Sequence, residues 1–438
     1  MKKIVLYLFT LAFSLNAAAQ QESKFEKLDE FLNYLYKNNR FMGSLTIREK
    51  DKVVFEKAYG FADVNAKIKA DTDTKYKIGS ITKMFTSAIV FQLIEEKKLT
   101  LKTKLSKFYP EIKKADSITI GDLLSHKSGI HNYTNDSIFI DYCKLPQTKA
   151  AMLKRLAGYE SDFKPGSKAD YSNSNYLLLG YIIEDITKKP YKGNVNDRII
   201  KPLGLKNTYY YSKLNPKRKE AFSYEWKNEK WTKIEEWDQS VAFAAGALLS
   251  TPTDLTKFIK ALFDGKIIKK ESLDQMTKIE FGYGYGIFSF PFGERKFYGH
   301  TGGIEGFSSN LGYHPKEELS ISLIQNGDNY ETNDIMVGVL SIYYKLPYNF
   351  PNLVTADVSV TTLKSYEGAY TTPSLPFKVN IKLIDGKLMA QATGQGQFPL
   401  TAVSETDFIF EPAGISMSFH KTGFTLDQGG TKTEFAKE

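Results

Sequence analysis

Tyr76-Lys77-Ile78-Gly79-Ser80-Ile81-Thr82-Lys83 stands at the head of an apolar repeat, Ile81, Met84, Phe85, Ala88, Ile89 and Leu93. That spacing predicts a helix beginning near Ser80. Ser80 and Lys83, at i and i+3, then share one face, about 4.5 Å apart along the axis at a rise of about 1.5 Å per residue. A serine hydroxyl is a poor nucleophile at neutral pH and needs a base beside it. A buried lysine has its proton affinity lowered and can act as that base. The helix N-terminus adds backbone N–H groups and partial positive charge for an oxyanion formed at Ser80. The Ser-x-x-Lys spacing itself is a weak signal, since it occurs three times: Ser80/Lys83, Ser161/Lys164 and Ser418/Lys421. Ser161 precedes Pro165-Gly166, a loop, and Ser418 alternates within a strand-like run, so neither holds its lysine on the same helical face.

Upstream of this segment, Phe25, Leu28, Phe31, Leu32 and Leu35 are spaced for a helix, and Ser44–Glu49 with Lys52–Ala58 reads as a hairpin. Downstream, Thr119-Ile120-Gly121-Asp122 has the form of a capping box before a short helix ending near Gly129. Further helices are expected over Asn175–Thr187 and Thr253–Phe263. The period then shifts: Glu280–Pro291, Lys296–Tyr298, Phe307–Tyr313 and Leu319–Gln325 read as strands. An early hairpin, a helical middle and late strands suit an α+β body with one antiparallel sheet, assigned to residues 21–350. From Pro351 to residue 438 only short strand candidates appear, among them Tyr366–Tyr370, Phe377–Ile381, Lys387–Ala392, Phe408–Phe410, Ser416–His420 and Phe424–Leu426, with no helix pattern. They suggest a small all-β, barrel-like accessory domain.

Residues 1–19 have the three parts of a secretory signal: Lys2-Lys3, the apolar run Ile4–Phe13, and Ala17-Ala18-Ala19. The run is too short to span a bilayer, which takes about 20 apolar residues. Export to the periplasm or medium is therefore expected, without a transmembrane segment. The 438 residues carry a formal charge of +9, but the lysines are scattered, which argues against nucleic-acid binding. Cys143 is the single cysteine, so no intramolecular disulfide is expected. The five histidines show no metal-ligand spacing, and neither a metal nor another cofactor is expected. His126 reads as structural.

Together these segments resemble the penicillin-recognising serine hydrolases, which include class C β-lactamases, D-alanyl-D-alanine carboxypeptidases, D-aminopeptidases and related esterases. Tyr76–Lys83 resembles their active-site segment. Tyr171-Ser172-Asn173, after Lys164-Pro165-Gly166 and before an apolar helix, is similar to their Tyr-x-Asn motif. Tyr36/Asn38 and Tyr133/Asn135 fit only the bare pattern. His300-Thr301-Gly302-Gly303 resembles the third motif, and the literal Lys421-Thr422-Gly423 lies in a turn of the tail. Leu123–Ile130, Pro202–Thr208 and Ala244–Leu255 also match, so the likeness covers residues 25–330 in order. The tail resembles a lipocalin-like accessory domain.

The resemblance implies a β-lactamase/transpeptidase-like fold and a two-step hydrolysis without metal. It gives Ser80 as nucleophile, with Lys83 and Tyr171 sharing acid and base work, Tyr171 as a phenolate stabilised by Lys83 and His300. Asn173 would bind substrate and position Lys83, and the N–H groups of Ser80 and Gly303 would hold the oxyanion. His300 and Thr301 would face a substrate carboxylate. The His form of the third motif argues against a dedicated β-lactamase. The expected substrate is a small D-amino-acid peptide, amide or ester, peptidoglycan fragments included. A non-catalytic penicillin-binding sensor that kept the fold would carry the same motifs. Labelling of Ser80 separates the two readings, and nothing in the sequence sets the oligomeric state.

Overall fold

The computed structural model describes residues 24–353, 356–410, 413–428 and 430–438, so the signal expected over residues 1–19 lies outside the described residues. The chain parts into two compact units between Leu346 and Pro347.

In the first unit, α1 (residues 24–37) buries Leu28, Phe31, Leu32 and Leu35, the apolar face of its helical repeat. It leads into β1 (Phe41–Glu49) and β2 (Lys52–Tyr59), the expected hairpin. The helical middle contains α2 (Thr82–Glu95), α3 (Asn173–Thr187), α4 (Gln239–Gly246) and α5 (Pro252–Phe263). Four strands follow: β3 (Phe288–Phe292), β4 (Arg295–Ile304), β5 (Phe307–His314) and β6 (Leu319–Asp328); α6 (Thr332–Tyr343) comes after them. Six strands of the sheet run antiparallel in the order β3-β4-β5-β6-β1-β2, with β1 paired along β6 from Phe41↔Asp328 to Glu49↔Leu319, and the short hairpin Tyr224–Lys227/Lys230–Lys233 joins β6 in parallel. Chain start and chain end of this unit thus meet in the middle of one sheet. α5 packs on β1, β5 and β6. Its start follows from Thr251, whose side chain accepts the Asp254 N–H, and from Pro252 in the first turn.

α2 is buried on every side from Thr82 to Phe91, which makes it the central element of the helical layer. Phe85 stacks on Phe258 of α5 with ring centroids 3.8 Å apart. Ser80 itself lies in a single 3-10 turn, Gly79–Ile81, that runs directly into α2.

Three expectations need correction. The capping box on Thr119 is present, but its helix stops at Leu124, because His126 (φ +58°) and Gly129 (φ +73°) turn the backbone left-handed. Residues 280–287 are a loop, and the strand begins only at Phe288. Phe281 (φ +52°), Gly282 (φ +86°) and Gly286 (φ +73°) fold this stretch against α2, leaving no extended run to pair. In the second unit a short helix, Val360–Ser365, precedes the strands, capped by Ser359 on the Thr362 N–H.

The rest of that second unit is a nine-stranded antiparallel sheet with its own apolar core around Tyr370, Phe408, Phe419, Phe424 and Phe435. Its two outermost strands, Phe398–Pro399 and Thr401–Ala402, are neighbours in the chain, so the sheet curls into a nearly closed barrel. Among the described residues no helix is long and apolar enough to cross a membrane.

Candidate active site

The site forms where the 3-10 turn at Ser80 meets β4. Gly302 on β4 lies so close to that turn that an added Cβ would sit 2.1 Å from the Ile78 carbonyl oxygen and 2.5 Å from Ser309 Oγ. Gly79 (φ +48°) faces the Gly303 backbone, where a Cβ would come within 2.9 Å of its nitrogen. Glycine is therefore required at both positions for the two backbones to touch. Gly302→Ala is expected to lower stability by roughly 1–3 kcal/mol from overpacking. It should also remove most acyl-transfer activity, read by thermal unfolding together with ester turnover; unchanged values in both would contradict this packing.

Lys83 projects from the first turn of α2 and is fully buried. Its Nζ lies 2.9 Å from Ser80 Oγ, 2.8 Å from Asn173 Oδ1 and 2.8 Å from the Ala245 carbonyl oxygen. That carbonyl is near the end of α4, past a break in helical geometry at Phe243 (φ +37°, ψ −129°). Burial drives the Lys83 pKa well below the ordinary lysine value. A neutral amine fits these three partners: two N–H groups donate to Asn173 and Ala245, leaving the lone pair for the Ser80 hydroxyl proton.

Asn173 is fixed in turn. Its backbone N–H donates to Asn132 Oδ1 at 3.0 Å and its Nδ2 to Thr134 Oγ1 at 3.1 Å, so Oδ1 is left to face Lys83. Tyr171 packs with Lys83 Nζ 5.0 Å from its ring centroid and lines the cleft beside Ser80. Burial raises its pKa above the ordinary phenol value, so it holds its proton.

His300 is 1% exposed. Its Nδ1–H donates to the Thr301 carbonyl, and its ring packs on Phe288 with centroids 4.3 Å apart. Burial, and then Lys83 nearby, push its pKa down to about 3. Neutral His300 and protonated Tyr171 do not fit a resting phenolate stabilised by His300; both groups are desolvated, and desolvation favours their uncharged forms.

A cleft of about 540 Å³ opens on Ser80, Tyr171, Tyr283, Phe288, His300 and Thr301. The chain thus gathers Ser80, Tyr171 and Asn173 around Lys83, with His300, Thr301 and Gly303 along the cleft. The other Ser-x-x-Lys serines are occupied elsewhere: Ser161 Oγ donates to the Phe163 carbonyl and Ser418 Oγ to Asp407. Tyr133 spends its hydroxyl on the Val241 carbonyl, and Lys421-Thr422-Gly423 lies at a hairpin of the second unit.

Several contributors escaped the sequence reading. His126 is more than filler: its ring stacks on Tyr171 at 4.4 Å, and its Nδ1 accepts the Ser172 N–H at 3.1 Å. Phe281–Tyr283 reach the cleft because residues 280–287 form a loop. The triplet Gly282, Gly284, Gly286 was the available signal, since that much glycine argues against a regular strand.

The Beta-lactamase family profile matches residues 26–337. The chain belongs to the beta-lactamase family. Within it, the teichoic acid D-alanine hydrolase of Staphylococcus aureus is 30% identical over 316 residues, 70% of this chain and 76% of that protein. The D-amino acid amidase of Ochrobactrum anthropi SV3 superposes with a TM-score of 0.63 at 25% identity, over 74% of this chain and 99% of the amidase. The octameric penicillin-binding protein homologue of Pyrococcus abyssi covers 94% of this chain and 98% of its own, with a TM-score of 0.69 at 24% identity, a likeness of fold. With hydrolases among its relatives, this family member is a serine hydrolase.

Proposed function

We propose that the chain hydrolyses esters or amides of D-amino acids through an acyl-enzyme on Ser80. The observation that carries this reading is the buried Lys83 Nζ, 2.9 Å from Ser80 Oγ, with its other neighbours an amide and a carbonyl oxygen. In the first step Lys83 takes the Ser80 proton as Oγ attacks the substrate carbonyl. The N–H groups of Ser80 and Gly303 hold the resulting oxyanion. The leaving group departs with the Tyr171 phenol proton, which Lys83 then replaces. Water, activated by the same pair in reverse, attacks the acyl carbonyl and returns Ser80.

The substrate class is supported by the relatives named above and by the cleft. Among the described residues lining it none is Lys, Arg, Asp or Glu, so a terminal carboxylate would meet only uncharged groups such as Thr301. That favours esters and amides over carboxypeptidase substrates, and penicillins as slow acylating ligands at most. Export, directed by residues 1–19, and an accessory role for residues 351–438 belong to the same proposal. The test is kcat/KM for p-nitrophenyl D-alaninate and D-alanine p-nitroanilide against their L forms, a D-Ala-D-Ala peptide and nitrocefin. D over L by tenfold or more, with the ester or amide fastest, is expected; a preference for L forms or for D-Ala-D-Ala would overturn it.

A further inference from the structure

Lys77 and Glu305 form an ion pair with both side chains fully buried, Nζ to Oε1 2.6 Å. Lys77 belongs to the short strand Tyr76–Lys77, three residues before Ser80. Glu305 (φ +55°) sits in the two-residue turn between β4 and β5, two residues beyond Gly303. The same Oε1 accepts the Trp237 N–H at 2.6 Å, the Glu236 carboxylate lies 3.7 Å from Lys77 Nζ, and the Tyr211 ring centroid is 4.4 Å away. One cation, two carboxylates and an aromatic face thus meet immediately behind the junction of Gly79, Ser80 and Gly303.

Stability gives a poor account of such a pair, because removing both charges from water costs about as much as their attraction returns. Its location gives a better one. Closure of the site requires the Ser80 turn and the Gly302–Gly303 backbone to stay in contact, yet both segments are short and both carry glycines. Ser309 Oγ, donating to the Ile78 carbonyl at 3.0 Å, is another tie across the junction. We propose that Lys77 and Glu305 are positioning residues that clamp β4 to the nucleophile turn and so set the separation of the Ser80 and Gly303 N–H groups. This rests on the Ser80 chemistry proposed above. Those two donors act most strongly on the charge that develops in the transition state, so slackening the clamp slows the chemical step more than binding.

The test is fluorophosphonate labelling of the full chain, resolved into kinact and KI, with thermal unfolding alongside. A wild-type protein that is never labelled would count against the Ser80 reading itself; the clamp is judged on variants relative to a labelled wild type. Glu305→Gln, nearly isosteric, and Lys77→Met are expected to lower kinact about 10- to 100-fold, as small misplacements at a reacting centre do, with KI changed less than about threefold. Lys77→Arg should recover most of the rate. If the single variants fail to fold, the apolar pair Lys77→Met/Glu305→Leu decides, with the same loss in kinact expected. Folded variants that acylate at the wild-type rate, or that change only in melting temperature, overturn the clamp.

Discussion

Ser80→Ala is expected to abolish turnover of ester and amide substrates, lowering kcat by about 10⁴-fold or more, the scale seen when a nucleophile is removed from a serine hydrolase. The Ser80 hydroxyl is bonded to Lys83 of the same site, and the residue is half-buried at the rim of the helical layer instead of in its core. The variant is therefore expected to fold with an unchanged far-UV spectrum. Residual turnover above about 1% of wild type would assign the chemistry to another nucleophile. The other Ser-x-x-Lys serines are committed elsewhere, Ser161 to a backbone carbonyl and Ser418 to Asp407.

The second large effect is on the base. Lys83→Met should lower the acylation rate about 10²- to 10⁴-fold, the usual contribution of a positioned general base. Lys83→Arg should do no better, since a guanidinium stays protonated. The wild-type pH profile follows from the environment. In the proposed mechanism the reactive form is the neutral amine, and burial lowers the Lys83 pKa well below that of a free lysine. The acylation rate should thus be at its plateau well below the pH where a solvated lysine loses its proton. It should fall as acidification passes through the depressed Lys83 pKa and charges the amine. His300, held down to about 3, contributes no limb near neutrality, and His126, likewise depressed by burial, contributes none either. Pre-steady-state acylation across pH 4–10 measures this. A rate that climbs only as pH approaches 10 would show a charged resting lysine and contradict the mechanism.

The sequence exposed most of the body because its elements are locally self-consistent. α1, the β1–β2 hairpin and α5 each carry an apolar period and turn or cap residues that agree with their place in the sheet. The C-terminal barrel was legible as a class, since closely spaced short strands without long helical periods have few other solutions. Its edge strands Phe398–Pro399 and Thr401–Ala402 were not legible, because two residues carry no period.

The loop at 280–287 misled for a related reason. Phe281, Tyr283 and Tyr285 alternate with glycines as strand residues would, while the glycines themselves bend the backbone toward α2. At the site, motif spacing placed Ser80 beside Lys83, but the protonation states lay beyond it. Burial favours a protonated Tyr171 and a neutral His300, against the expected phenolate. His126 read as packing because nothing in its neighbourhood of sequence reveals that Tyr171 stacks on it from 45 residues away.

The central claim is a covalent acyl intermediate on Ser80. Its most direct measurement is the intact mass of the protein after rapid acid quench with a D-alanyl ester, followed by peptide mapping. A single D-alanyl adduct on the peptide holding Ser80, absent from Ser80→Ala and lost on incubation at neutral pH, is the predicted result. Turnover of that ester with no adduct at any quench time, or an adduct on another residue, would contradict it.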